Sequence, residues 1–463
     1  MKILLVVYDN DSHIHWFPQG LAYIAAVLAK QDYEVQIYSQ DLNHYPDAHL
    51  TSYLDQNKFD VIGVSIIAGY YQYKKLLAIA RAVEESKQRP EHFILGGHGP
   101  SPEPEYFLKK TNADIVVMGE GEETALELFD ALANHNPLKN IKGIAYRDGS
   151  AVKINPRRDL IKDIDSIPWP AYHLFPIEYY RLLRMPHCTH SDFVMPLLSG
   201  RGCTFTCNFC YRMDKGFRPR SAEAIVEEIQ YLKKEFHISY IAFSDELLMS
   251  SKQRTLEICD AFLKANLDIK WDCNGRLNYA SPDILAAMKK AGCVFINYGI
   301  EAYDNEVLKK MNKALSIKQI NLGIEATLDA GISPGLNMLF GHIGDNKETL
   351  NAAVEFLIKH DDGAQMRTIR PVTPYPGSPL YDYAVEKGLI EDIQDFYENK
   401  HLNSDLFAAN FTELSEEELY SELCDANIRL VENYFQNKKK IINSQTRHLY
   451  STRDASFRGF RQS

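Results

Sequence analysis

Three cysteines fall within eight residues, in the run Cys203-Thr204-Phe205-Thr206-Cys207-Asn208-Phe209-Cys210. Three thiols on one short loop can converge on one metal centre, and thiolates favour zinc or iron–sulfur chemistry. Structural zinc takes four protein ligands, and no fourth Cys or His follows at zinc-finger spacing. Three thiolates suit an iron–sulfur cluster with one iron left open, where a substrate can bind. The other five of the eight cysteines (Cys188, Cys259, Cys273, Cys293 and Cys424) read as structural.

The loop opens with Ser199-Gly200-Arg201-Gly202, after the strand-like run Phe193–Leu198. Further candidate strands are Tyr240–Ser244, Ile269–Cys273, Val294–Tyr298, Leu336–Phe340 and Thr368–Val372, with helical segments such as Ala222–Phe236 and Ile317–Ala330 between them. Six βα-like units over residues 192–385 predict a barrel or partial barrel, with its chemistry at the carboxyl ends of the strands. Charged residues stand at those ends: Asp245 and Glu246 after Ser244, Arg276, and Glu301. Such a set can meet a zwitterion, a carboxylate for an ammonium and a guanidinium for a carboxylate.

Residues 1–150 alternate short apolar runs (Ile3–Val7, Val35–Tyr38, Val61–Ser65, Phe93–Leu95, Ile115–Met118) with helical spacing. That pattern predicts a doubly wound α/β domain with a parallel sheet covered on both faces. Its ligand crevice lies beyond the strand ends, which carry Ser65, Gly96-Gly97-His98-Gly99 and Gly119-Glu120-Gly121-Glu122. Glycine there lets the backbone approach a large ligand. Residues 151–191 read as a proline-broken linker, in which 160–170 (LIKDIDSIPWP) could be an arm tying two domains together. Residues 386–463 read as a helical region, opened by the capping box Ser415–Glu418 and ending in a basic, solvated tail from Lys438.

Composition is ordinary for a soluble globular protein: 463 residues, 45% hydrophobic, 24% charged. A net charge of −11 argues against a dedicated nucleic-acid binder. Met1–Val7 is too short an apolar stretch for a secretory signal, and no run spans a membrane. The expected location is cytoplasmic, where cysteines serve as metal ligands, catalytic thiols or buried small hydrophobes rather than disulfides.

The CxxxCxFC pattern after a barrel strand resembles the radical S-adenosylmethionine (SAM) superfamily. The resemblance implies a [4Fe–4S] cluster on Cys203, Cys207 and Cys210, with SAM chelating the open iron. It places SAM contacts at Phe209, Tyr211, Ser244, Asp245, Glu246, Arg276, Glu301 and Gly341, the last in a glycine turn (Gly341-His342-Ile343-Gly344) beside adenine. Pro374-Tyr375-Pro376-Gly377-Ser378-Pro379 is similar to a recurrent motif of the cobalamin-dependent subgroup. The amino-terminal half resembles the cobalamin-binding domain of that subgroup, which implies contacts from Pro18, Gln19, Gly20, Ser65, Gly96, Gly97, His98, Gly119, Glu120 and Gly121.

Cobalamin mutases carry Asp-x-His-x-x-Gly with a cobalt-ligating His; Asp11-Ser12-His13-Ile14-His15-Trp16 begins that pattern but has Trp16 in place of the glycine. Methylthiotransferases are excluded, because no cysteine precedes Cys188. The resemblance implies methylation of an unactivated carbon or phosphorus through cobalamin, on a small molecule, with a flavodoxin- or ferredoxin-type electron donor. The alternative is a non-methylating radical reaction such as oxidative cyclisation, as in anaerobic magnesium-protoporphyrin ester cyclases.

Overall fold

The computed structural model describes residues 1–11, 16–213 and 215–457. Its first sheet contains β1 (Lys2–Val7), β2 (Glu34–Ser39), β3 (Val61–Ser65), β4 (His92–Gly96), β5 (Ile115–Val117), β6 (Ile144–Asp148) and β7 (Ala151–Ile154), in the order β2-β1-β3-β4-β5-β6-β7. The first five strands are parallel; β6 and β7 close the edge antiparallel. The order 2-1-3-4-5 is doubly wound, so ligands bind at the carboxyl ends. Continuous apolar runs make this possible: Ile3 to Val7 are each at most 3% exposed, because helices cover both sheet faces. β7 carries this sheet beyond residue 150, into the segment expected to be linker.

The chain then passes through an aromatic joint. Phe17 packs on Tyr172, Phe175 and Tyr180 at centroid distances of 5.4, 5.3 and 5.2 Å. The second sheet follows: β8 (Val194–Leu197), the hairpin strands β9 (Gly200–Cys203) and β10 (Gly216–Pro219), then β11 (Tyr240–Phe243), β12 (Lys270–Gly275), β13 (Cys293–Glu301), β14 (Ser333–Phe340) and β15 (Arg370–Pro371). β8, β11, β12, β13, β14 and β15 lie in sequential parallel order, a partial barrel. The sixth strand is shorter than expected, since Pro371 and the Pro374–Pro379 turn limit its pairing.

Two features lay outside the sequence expectation. β9 and β10 pair antiparallel, so the cysteine loop is the tip of a hairpin. The helix Glu416–Thr452 runs on through most of the basic tail, with its capping box formed at Ser415. It contains no glycine or proline, and its Lys, Arg, Gln and Asn residues tolerate helix well enough to extend it. No helix among the described residues is long and apolar enough to cross a membrane.

Candidate functional site

The cysteine loop is held from several sides. Met311 O accepts from the Asn208 amide (3.0 Å), and Lys310 O accepts from Asn208 Nδ2 (3.0 Å). Asn312 Nδ2 donates to Thr206 O and Oγ1 at 2.9 and 2.7 Å. His342, fully buried and with its pKa pushed down to about 4 by burial, is neutral near pH 7. Its Nε2–H faces Asn208 Oδ1 at 3.0 Å, the tautomer required because Asn208 Nδ2 is already donating. The segment 310–313 and His342 thus clamp the loop. Sequence reasoning missed these roles, because a Lys-rich stretch reads as solvated surface and His342 was noticed only as part of a glycine turn.

Within the loop the Cys207 and Cys210 thiols touch. The hydrogen bond from Cys210 lowers the Cys207 pKa to about 6 against the opposing effect of burial, and the cations of Lys313 and Arg276 add to the lowering. Cys203 lies near enough to be influenced by Cys207, Arg276 and Glu246, although burial raises its pKa. Among the described residues no three His, Cys, Asp or Glu side chains close around a metal position. The three thiols therefore share one tip, two of them in contact, without all three closing on a single point. The donor set fits an iron–sulfur cluster: three soft sulfurs, two cations facing them, and a backbone fixed by the clamp.

The strand ends divide into engaged and accessible groups. Asp245 is tied into the fold, its oxygens accepting from Ser199 N (2.9 Å) and Ser199 Oγ (2.7 Å), with β8 held to β11 in consequence. Ser244 Oγ donates to Gln19 Oε1, a contact between the two domains. Glu246, exposed, is the accessible carboxylate. Arg276 stacks its guanidinium 3.5 Å from the Phe205 ring centroid, with Nη1 3.9 Å from Cys207 Sγ. Glu301 ends β13 at φ +72°, beyond a bulge, and pairs with Lys313 Nζ at 2.8 Å. Lys313 also lies 5.7 Å from the Phe209 ring. Gly341, at φ +92°, donates its N–H to Asp345 Oδ2 (3.1 Å) and lies against Phe407.

Burial pushes Asp245 up to about 6. The native state then binds more protons than the unfolded chain between about pH 4 and 6, so this group's contribution to stability is full below about 4 and lost as pH rises through about 6. Asp245→Asn is expected to flatten the stability profile in that window. Urea melts of both proteins from pH 4 to 8 check this; identical slopes would refute it.

The first-domain residues singled out by the sequence have differing surroundings. Gly20, Gly96 and Gly119 have open space where a Cβ would project, whereas Gly121 abuts Ile24. Pro18 caps the helix Gln19–Ala29, and Gln19 Nε2 is buried without a partner among the described residues. Gly97, at φ +94°, is needed for the chain itself, because a Cβ would collide with the Ile66 carbonyl and lie 2.8 Å from Ser65 Oγ. His98 is exposed and sits edge-on to Tyr211 at 6.1 Å. Residues 12–15, with His13 and His15, lie outside the described residues.

Glu120 has both oxygens engaged rather than free for a ligand. Oε1 accepts from Arg201 Nη1 (2.9 Å), and Oε2 from Arg218 Nη1 (2.8 Å) and Ile161 N (2.9 Å). Burial raises its pKa, but Arg218 and Arg201 outweigh that and hold it below the usual value. Glu122 Oε1 accepts from Arg201 Nη2 at 2.6 Å. Arg201 and Arg218 face each other across β9 and β10, so the Gly119–Glu122 turn grips both strands bracketing the cysteines. Arg201→Met leaves these carboxylates, 7% and 8% exposed, short of a partner and is expected to cost about 3–5 kcal/mol, measured by thermal unfolding. A change below about 1 kcal/mol would show that the latch is solvent-screened.

This geometry joins a doubly wound α/β domain to a three-cysteine loop on a partial barrel. Family models agree: the B12 binding domain matches residues 2–129 and the radical SAM superfamily matches residues 197–357. An uncharacterised methyltransferase of Pyrococcus horikoshii is 30% identical over 404 residues, covering 84% of each chain. The chain belongs to the radical SAM superfamily, in the branch that carries an amino-terminal B12-binding domain.

The anaerobic magnesium-protoporphyrin IX monomethyl ester cyclase of Rubrivivax gelatinosus is 26% identical, over 82% of this chain and 69% of its own. The solved structure of the radical SAM methyltransferase TsrM from Kitasatospora setae, with cobalamin and a [4Fe–4S] cluster, superposes with a TM-score of 0.75 at 16% identity, covering 93% of this chain and 89% of its own. The fold is shared along nearly the whole chain. The protein is an enzyme whose cofactors are SAM, a [4Fe–4S] cluster and cobalamin. Radical SAM enzymes draw electrons from an external reductant.

Proposed function

We propose that the enzyme transfers a methyl group from SAM, through cobalamin, to an unactivated carbon or phosphorus of a small molecule. The observation that carries this is the grip of the Gly119–Glu122 turn on the cysteine hairpin, which sets the crevice of the first domain beside the cluster loop. When bound, the cluster would supply the electron that cleaves SAM, and cobalamin would carry the methyl group.

The chain's own task is to bind, orient and exclude water. Cys203, Cys207 and Cys210 hold the cluster, with Arg276 and Lys313 balancing thiolate charge. Glu246 takes the SAM ammonium, Arg276 its carboxylate and Glu301 the ribose hydroxyls. Gly20, Gly96 and Gly119 leave room for the corrin. A flavodoxin- or ferredoxin-type protein delivers the electron. The relative in Pyrococcus horikoshii and TsrM both carry methyltransferase names, which supports methyl transfer. The cyclase relative supports the second reading, a radical cyclisation with cobalamin retained.

The test is anaerobic reconstitution with iron, sulfide and hydroxocobalamin, then SAM, reductant and cell extract, read by mass spectrometry. Comparable S-adenosylhomocysteine and 5′-deoxyadenosine, both dependent on extract, are expected. 5′-Deoxyadenosine alone would favour cyclisation. Gly96→Val, which fills open space without disturbing a positive φ, is expected to weaken cobalamin uptake at least about tenfold while iron content stays unchanged. Normal uptake, measured by the corrin absorbance after desalting, would remove Gly96 from the crevice.

A further inference from the structure

The inner face of the partial barrel has a chemical character that restricts what it can hold. Along β14 the odd-numbered positions face away from the helices. Leu336, Met338 and Phe340 belong to the core under the outer helices, so Asn337 and Leu339 face the lumen. Asn337 is exposed, and at its level β14 is paired with β13 alone, because β15 pairs only with Leu339 and Phe340. The sheet is therefore open beside Asn337, just below the short strand that carries Arg370. Among the described residues Asn337 makes no side-chain hydrogen bond.

The neighbouring strands extend the same surface. Asn297 pairs in register with Asn274, and its Nδ2 donates to Asn274 Oδ1 at 3.0 Å. Across β13 and β14 each asparagine faces a glycine: Asn297 is opposite Gly335 and Asn337 is opposite Gly299. A Cβ at Gly335 would collide with Asn297 Oδ1, so the glycine keeps that carboxamide in place. The result is a floor of carboxamides with small neighbours, unlike the apolar lining that a hydrocarbon substrate would need.

Arg370 stands at the rim of this floor. It is in register with Leu339, one step from the carboxyl end of β14, and Ile369 beside it is turned into the outer core. Its side chain is 63% exposed, and the carboxylate paired with it, Asp405, is 3.6 Å from Nε on a side chain 67% exposed. Such a pair is screened by water and readily gives way to a bidentate oxyanion.

We propose that the substrate is a polar molecule bearing a carboxylate or phosphate, held by the Arg370 guanidinium with the Asn337 carboxamide beneath it. This rests on the methyl-transfer reading above and names the substrate class for it. Arg370 sets specificity; the chemistry belongs to the groups at the cluster loop.

The test uses holoenzyme, SAM with a deuterated methyl group, and a small-molecule extract of the cells that encode the protein. The extract is first passed over an anion exchanger at pH 11, where amines are neutral and carboxylates and phosphates are retained. Label in the retained pool is expected, with KM for the labelled compound raised about 10- to 100-fold in Arg370→Gln, partly restored in Arg370→Lys, and kcat changed far less. Iron and cobalamin contents of both variants are expected to match the wild type.

Label confined to the flow-through overturns the proposal and leaves methyl transfer standing. Label in neither pool overturns methyl transfer and this proposal with it. Loss of cobalamin from Arg370→Gln assigns the guanidinium to the phosphate of the cofactor and overturns its role toward substrate, as does an unchanged KM.

Discussion

Replacing Cys203, Cys207 and Cys210 together by Ala is expected to abolish the broad iron–sulfur absorbance and reduce SAM cleavage below detection, while the protein stays folded and takes up cobalamin. The fold should survive because the loop is held by groups other than its thiols. Asn208 is bonded to Met311 O, Lys310 O and His342, and Thr206 to Asn312. The hairpin strands on either side are fixed by Glu120 and Glu122. What disappears is the set of soft donors. Two thiols would remain in any single variant, and a partly coordinated cluster can persist, so the triple variant is the decisive one. Iron and sulfide content, the low-temperature EPR signal of the reduced cluster and 5′-deoxyadenosine formation are measured on the same sample. A cluster that forms in the triple variant would remove these cysteines from the centre.

How far the sequence could be read depended on how local each feature was. Apolar strands buried on both faces announce themselves in a single run, and Ile3–Val7 and Tyr240–Phe243 did so. The cysteine spacing is also local. The hairpin β9–β10 was illegible, because Gly200–Cys203 and Gly216–Pro219 carry no strand-like pattern and pair only because the loop between them closes. The roles of Arg201, Arg218, Asn312 and Lys313 depend on partners 12 to 106 positions away, which no window along the chain reveals. Glu120 shows the converse. Its place at a glycine-rich strand end suggested a ligand contact, and the folded chain spends both its oxygens on arginines. Gly97 likewise sits in the expected loop, but its φ of +94° and its contact with Ile66 explain the glycine without any cofactor.

Lys313→Met is expected to destabilise the barrel by about 3–5 kcal/mol, because it strands Glu301 as a buried carboxylate. The pair is enclosed: the Lys313 and Glu301 side chains are 7% and 12% exposed, with Nζ and Oε1 2.8 Å apart. The surroundings are built for it. A Cβ at Gly299 would collide with Glu301 Oε1 and lie 3.0 Å from Lys313 Nζ, so that position excludes other residues while the pair is present. Glu301 holds φ +72°, a strained conformation for a residue with a side chain, which persists only when its contacts over-determine it. Removing both charges removes the uncompensated one, so Glu301→Gln with Lys313→Met should recover at least half of the loss. SAM binding separates the structural effect from the functional one. The double variant, although refolded, should bind SAM at least about tenfold more weakly, since a glutamine accepts hydroxyl hydrogens less strongly than a carboxylate. Urea midpoints and equilibrium dialysis of SAM on the reconstituted protein give the two readings. Additive destabilisation in the double variant would show that the ion pair is not a coupled unit, and undiminished SAM binding would remove Glu301 from the SAM site.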